Sequence, residues 1–184
     1  IGKAMQDAQV QIATFGRVLD ETGQHDLKEL GFLPEDWLVE ENTLLRGRLL
    51  RSTPAGDRMA AHHIISIFTA DSRQHKAGVI DRIEVAHSGQ LYVTVHYLPG
   101  QPQAVIANAG ESAQTMLKSG STPSLLLPAI EKLRIPSSLI IPRDWFQAGR
   151  ELELTFSDRS KQKVRLGISV ERGVDYERVS FKPA

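Results

Sequence analysis

From Trp37 to Phe181 apolar and polar residues alternate in short runs divided by turn residues. Such a pattern predicts half-buried strands of the kind that close into barrels or stack into sandwiches. Trp37–Glu41 and Leu44–Arg51 are the first two runs, followed by a turn at Ser52-Thr53-Pro54-Ala55-Gly56-Asp57. His63–Thr69 and Gly78–Ala86 come next, ending at His87-Ser88-Gly89, where glycine suits a tight turn with positive φ. Leu91, Val93, Val95 and Tyr97 then alternate with Tyr92, Thr94, His96 and Leu98, and large groups on both faces predict a central strand. Pro99-Gly100-Gln101-Pro102 breaks that strand, and Ala104–Ala107 resumes as another.

A short helix is predicted over 110–120, with Met116 and Leu117 on its apolar side. A second strand-rich block follows. Ser124–Leu127 and Ser138–Ile141 are apolar runs closed by proline. Leu152, Leu154 and Phe156 alternate with Glu151, Glu153 and Thr155, and Val164, Leu166, Ile168 and Val170 alternate with Arg165, Gly167, Ser169 and Glu171. Val174–Lys182 reads as the last strand. Alternation of this kind puts one face in a core and one in water.

Ahead of the strands, Met5, Ala8, Ile12, Phe15 and Leu19 are spaced three and four apart, which predicts a helix over 3–19 stopped by Thr22-Gly23. That helix reads either as the end of a coiled coil joining two copies or as a helix lying on a barrel. The fold expected is mainly β: two small antiparallel β-barrels preceded by an N-terminal helix. The boundaries expected are 1–23 for the helix, 24–109 for the first barrel and 110–184 for the second. Pro-x-Asp-Trp occurs at Pro34–Trp37 and again at Pro142–Trp145, either as the mark of a duplication or by coincidence.

Composition narrows the function. The 184 residues suit one or two domains. Lysine plus arginine number 22 and aspartate plus glutamate 22, so no net basic charge points to DNA or an anionic membrane as the main partner. There is no cysteine, which excludes disulfides, thiolate metal sites and cysteine nucleophiles and fits a cytoplasmic location. No apolar run approaches the roughly 20 residues of a membrane-spanning helix. The chain opens on Ile1 rather than methionine and is expected to be a piece of a longer protein.

No pattern in the sequence marks a catalytic centre. His62-His63 is the only adjacent histidine pair, and no His-x-x-x-His spacing supports a metal. Gly-x-Ser-x-Gly, Gly-x-Gly-x-x-Gly and Walker-type loops are absent. The carboxylate pairs Asp81 with Glu84 and Asp175 with Glu177 read as solvated strand faces. The expectation is therefore a protein that is not an enzyme and carries no cofactor or metal. Arg46, Arg48 and Arg51 crowd one strand, with Arg46 and Arg48 on one face and Arg51 on the other. Guanidinium groups clamp phosphates and stack on purines, so the cluster is a candidate nucleotide grip. The plainer reading is an edge strand blunted by charge.

Trp37–Leu49, read with Asn42 and Gly47, resembles the strand and turn of PilZ domains, six-stranded barrels that bind cyclic di-GMP. The family signature is Asp/Asn-x-Ser-x-x-Gly; Asn42 and Gly47 match it, and Leu44 stands where the serine would be. Ala77–Ile83 and Val93–Leu98 resemble later strands of the family. The block from Ser138–Pro142 through Gly149-Arg150 to Glu177–Phe181 resembles an extra barrel that follows such domains. Binding members carry Arg-x-x-x-Arg ahead of the barrel, and this chain has that spacing nowhere. Two lost charge-assisted hydrogen bonds, at about 1.5–3 kcal/mol each, take micromolar affinity to millimolar or weaker.

The resemblance implies a degenerate PilZ-like regulatory module of bacterial cyclic di-GMP signalling. It would act through a protein partner or by self-association through the N-terminal helix. One alternative is a genuine cyclic di-GMP receptor using Asn42, Arg46, Gly47 and Arg48. Another is an accessory domain of a larger enzyme.

Overall fold

The computed structural model describes residues 9–14, 35–51, 59–69, 74–110, 117 and 120–184. The first sheet holds β1 (Gln9–Thr14), β2 (Glu35–Asn42), β3 (Arg46–Arg51), β4 (Ile64–Thr69), β5 (Gln74–Val85) and β6 (Leu91–Tyr97). Every neighbouring pair is antiparallel, and the order β1-β2-β3-β6-β5-β4 closes on itself because β1 pairs with both β2 and β4. Its interior is Trp37, Leu49, Ile65, Ile67, Ile80, Val93 and Val95, contributed by alternate positions of the strands. Register shifts after Val39 in β2 and after Ile80 in β5 bend the sheet.

The second sheet holds β7 (Gln103–Ala109), β8 (Ser121–Leu127), β9 (Ser138–Ile141), β10 (Glu151–Phe156), β11 (Lys161–Arg172) and β12 (Glu177–Pro183). It closes in the order β7-β8-β9-β12-β11-β10. Leu139, Ile141, Leu152, Leu154, Val164, Leu166 and Val179 fill it, with Trp145 among them. Numbered from its own first strand, each barrel runs 1-2-3-6-5-4, so the wiring is repeated. The two Pro-x-Asp-Trp copies do not mark that repeat. Trp37 lies in the second strand of its barrel, whereas Trp145 lies in a 3-10 turn after the third strand of the other.

The expected N-terminal helix is corrected by β1, and with it the expected fold class. Gln9–Thr14 is a strand, and no α-helix occurs among the described residues. Within Gln9-Val10-Gln11-Ile12-Ala13-Thr14 a period of two is nested inside the three-and-four spacing. Three of those six residues are β-branched, which favours the extended chain. The decisive reason is non-local: without β1 the facing edges of β2 and β4 have no strand between them. Self-association through an N-terminal helix therefore has no basis in residues 9–14. The rest of that expected helix lies outside the described residues, as does the one expected over 110–120 apart from Gly110, Leu117 and Gly120.

The compact units divide between Leu98 and Pro99 rather than near residue 110. The expected boundary puts β7 within the first barrel, whereas it pairs with β8 and β10 of the second. Pro99 and Pro102 lack N–H groups and Gly100 sits at φ 87°, so the ladder ends there.

Candidate functional site

β2 and β3 are joined by a tight turn at Thr43–Arg46. The Thr43 N–H donates to the Arg46 carbonyl at 2.8 Å, and the Arg46 N–H donates to the Thr43 hydroxyl at 2.9 Å. Leu44 and Leu45 form the tip and are 84% and 70% exposed. The Leu45 carbonyl accepts from the Tyr97 N–H at 2.8 Å, which ties the tip to the end of β6. The tip is therefore an apolar knob held in one backbone shape.

The expected site residues all belong to this hairpin. Gly47 and Leu49 point into the barrel, so Arg46 and Arg48 share the outer face. Asn42 accepts a hydrogen bond from the Tyr97 phenol at 3.0 Å, and Gly47 lies beneath the Tyr97 ring. Burial pushes the Tyr97 phenol above its usual range, so it remains a donor at neutral pH. Lys76 Nζ stands 4.7 Å over the ring centroid.

Each outer-face arginine meets a carboxylate. Arg48 Nε lies 3.2 Å from Glu40, its Nη2 donates to Glu84 at 3.4 Å, and its guanidinium sits 4.8 Å over the Tyr92 ring. Arg82 donates to Glu84 at 3.2 Å. Arg46 is 71% exposed and reaches Asp81 at 3.9 Å, while His96 Nδ1 lies 2.6 Å from the same carboxylate. Arg46, Arg48 and Arg82 are thus matched against Asp81, Glu40 and Glu84. Arg51 is on the opposite face, 3.1 Å from Glu35 and 5.3 Å over the Trp37 ring.

Sequence reasoning placed Asp81 and Glu84 on a solvated strand face and missed their cross-strand partners Arg46 and Arg48 on β3. Tyr97 was missed as a site residue because it bonds Asn42 from β6. The reading of Asp175 and Glu177 as a shared solvated face is also corrected. Glu177 is wholly buried and accepts from Arg172 at 3.1 Å on both oxygens. The expected strand from Val174 begins only at Glu177, so Asp175 lies in the preceding turn and shares no strand face with it. Beside this pair, the buried Tyr176 phenol donates to Glu171 at 2.6 Å, and Arg178 donates to Glu171 at 3.3 Å and to Ser138 at 3.2 Å. This second cluster is paired within the chain and braces the β11–β12 hairpin.

His62 and His63 occupy the turn ahead of β4, with His62 at φ 67°. No group of three or more histidine and carboxylate residues could hold a metal among the described residues. No helix among them is long and apolar enough to cross a membrane.

No curated protein matches the chain. Solved structures that align with it include two of one protein. One is "MrkH, A novel c-di-GMP dependence transcription regulatory factor", at a TM-score of 0.33 and 5% identity, covering 97% of this chain and 77% of that one. The other is K. pneumonia MrkH in its apo state, at a TM-score of 0.32 and 5% identity, covering 97% and 78%. TM-scores at that level do not establish a shared fold. Residues 100–184 match the FimW C-terminal beta-barrel domain family, a span that takes in β7 to β12, so the second barrel is similar to that family.

Proposed function

We propose that this chain is a regulatory interaction module of bacterial cyclic di-GMP signalling, built on a degenerate PilZ-like barrel and acting by protein contacts. It performs no chemistry of its own in this reading. The observation that carries it is the β2–β3 hairpin. Its outer arginines face the chain's own carboxylates, and its tip presents Leu44 and Leu45. A phosphate approaching Arg46 or Arg48 meets Asp81, Glu40 and Glu84 at the same place. Like charges there oppose the grip that the arginines would give. A rigid apolar knob suits a protein surface instead, since little ordering entropy is lost on docking.

A second reading, a genuine cyclic di-GMP receptor, draws on Arg46, whose exposure and 3.9 Å pairing leave its guanidinium accessible. Calorimetric titration with cyclic di-GMP separates the two. The interaction module gives no saturable heat up to millimolar nucleotide. Micromolar binding that disappears in Arg46→Ala and Arg48→Ala would establish the receptor and remove the first reading.

A further inference from the structure

The zero net charge of the chain hides an uneven distribution. Strands of the second barrel alternate in direction, so the β8–β9 loop, the β10–β11 turn and the last residues of β12 lie at one end. The ladder fixes this: Leu127 pairs with Ser138, Ser138 with Ser180, Lys182 with Arg165 and Lys161 with Thr155. Lys132, Arg134, Arg159, Lys161, Lys163 and Lys182 are all exposed there. Glu131, Glu153 and Asp158 are the acidic residues of the same segments. Of the six cations only Lys161 meets a carboxylate among the described residues, Glu153 at 2.6 Å. At the opposite end Arg172 is matched to Glu177 and Arg178 to Glu171.

Two further features mark this end. Lys182 stands directly across the ladder from Arg165. Like charges in that position weaken a sheet, and an anionic partner relieves the repulsion. Leu133 is 60% exposed, at the end of the 3-10 turn Glu131–Leu133 and between Lys132 and Arg134. The Arg134 N–H donates to the Glu131 carbonyl at 3.0 Å, and Ile130 bridges Ile135 behind the turn. An apolar side chain is therefore held out among cations by a defined backbone.

We propose that this end of the second barrel docks on an anionic lipid surface. Leu133 enters the boundary between headgroups and acyl chains, with Lys132 and Arg134 at the level of the phosphates. Long cationic side chains reach the headgroups while an apolar neighbour is buried. Each lysine or arginine near such a surface adds an attraction that salt screens. A single-stranded nucleic acid fits less well, because its bases stack on open aromatic rings. The aromatic residues of these strands, Phe156 and Phe181, pack against the core instead. An acidic peptide matches the cations and leaves Leu133 without a partner. The surface is separate from the Asn42–Gly47 hairpin, and neither depends on the other.

The test is co-sedimentation of the full chain with vesicles of phosphatidylcholine, with and without phosphatidylglycerol, at low and high salt. The expected result is binding to the anionic vesicles alone, released by salt. Lys163→Gln with Lys182→Gln should weaken it by about tenfold or more. Lys163→Arg with Lys182→Arg keeps the charge and should retain binding. Leu133→Ser should weaken it by about tenfold. All three side chains are exposed, and melting curves check that each variant stays folded. Leu44→Ser with Leu45→Ser should leave vesicle binding unchanged. No sedimentation with anionic vesicles, or equal binding by the parent and the Gln and Ser variants, overturns the proposal. Capture of duplex DNA or polyglutamate in place of the vesicles overturns it as well and assigns the cations to another polyanion.

Discussion

The Tyr97 phenol donates to the Asn42 side chain at 3.0 Å across 55 residues of sequence. That bond, with the ring lying on Gly47, gives the two motif-matching residues a role in bracing the hairpin that needs no nucleotide. A Cβ at position 47 would fall 2.2 Å from the Tyr97 oxygen and 3.0 Å from Cζ. Gly47→Ala therefore displaces the ring and is expected to destabilise the first barrel by about 1–3 kcal/mol. Tyr97→Phe removes the oxygen that clashes and loses one hydrogen bond, at about 1 kcal/mol. The double variant should then be less unstable than the sum of the single ones. Denaturant unfolding of all four forms measures this coupling, and strict additivity would show that the ring does not bear on Gly47.

Arg48 stands among Glu40, Glu84 and Tyr92 with its side chain partly open to water. Exposed pairs of this kind contribute about 0–1 kcal/mol, and salt screens them. Arg48→Ala should lower stability by no more than about 1 kcal/mol at low ionic strength and by less in concentrated salt. Thermal unfolding at two salt concentrations checks it. A larger loss that salt leaves unchanged would mean that Arg48 acts by packing on Tyr92 rather than by charge.

Glu177 is a buried carboxylate whose two oxygens accept from the single side chain of Arg172. Removing that arginine leaves a buried charge unmatched. Arg172→Met is expected to destabilise the second barrel by about 3 kcal/mol, and adding Glu177→Gln should recover part of the loss. Chemical denaturation of the single and double variants tests this. No recovery in the double variant would point to poor packing of the introduced methionine rather than to the unmatched charge.

Tyr97 and Tyr176 both have phenols raised above their ordinary value of 10.0, each chiefly by burial. For Tyr176 the hydrogen bond to Glu171 and that carboxylate's negative charge push further in the same direction. The unfolded chain loses these phenol protons near pH 10, while the folded chain still holds them. The stability they contribute is therefore fully present below about pH 10 and declines as pH climbs toward the raised values. Phenolate absorbance should show these two tyrosines ionising late, and Tyr176 only with unfolding. Early, reversible ionisation of all the tyrosines in the folded state would contradict the burial described.

Local alternation made most strands legible. Ser138–Ile141 is found with the bounds its apolar run suggested, and Leu91–Tyr97 is a strand paired with β3 and β5, though in a closed sheet every strand has two neighbours. β1 was not legible, because Ile12 fits a helical stripe and a two-residue alternation equally well. Closure of the sheet between β2 and β4 decides between them, and closure is a property of distant strands. The candidate site divides the same way. Asn42 and Gly47 could be found from their spacing, and the shared face of Arg46 and Arg48 from strand geometry. The groups that set their chemistry could not: Glu84 and Asp81 come from β5, Tyr92 and Tyr97 from β6, and no local pattern ties them to β3.

Leu44 and Leu45 touch little of their own barrel, and this makes them a clean test of the interaction reading. Exposed side chains outside caps and cores change stability by no more than about 0.5 kcal/mol when replaced. The turn beneath them is built from the Thr43 hydroxyl and from main-chain groups at Thr43, Leu45 and Arg46, none of which uses a leucine side chain. Leu44→Ser with Leu45→Ser should therefore leave the melting temperature close to that of the parent chain. If the knob anchors a protein partner, the same variant loses association by about tenfold or more, since apolar anchors at an interface centre carry much of its energy. Binding measured against the cognate partner, with the melting curve as control, separates the two effects. Unchanged affinity in a well-folded double variant would move the contact surface away from the hairpin.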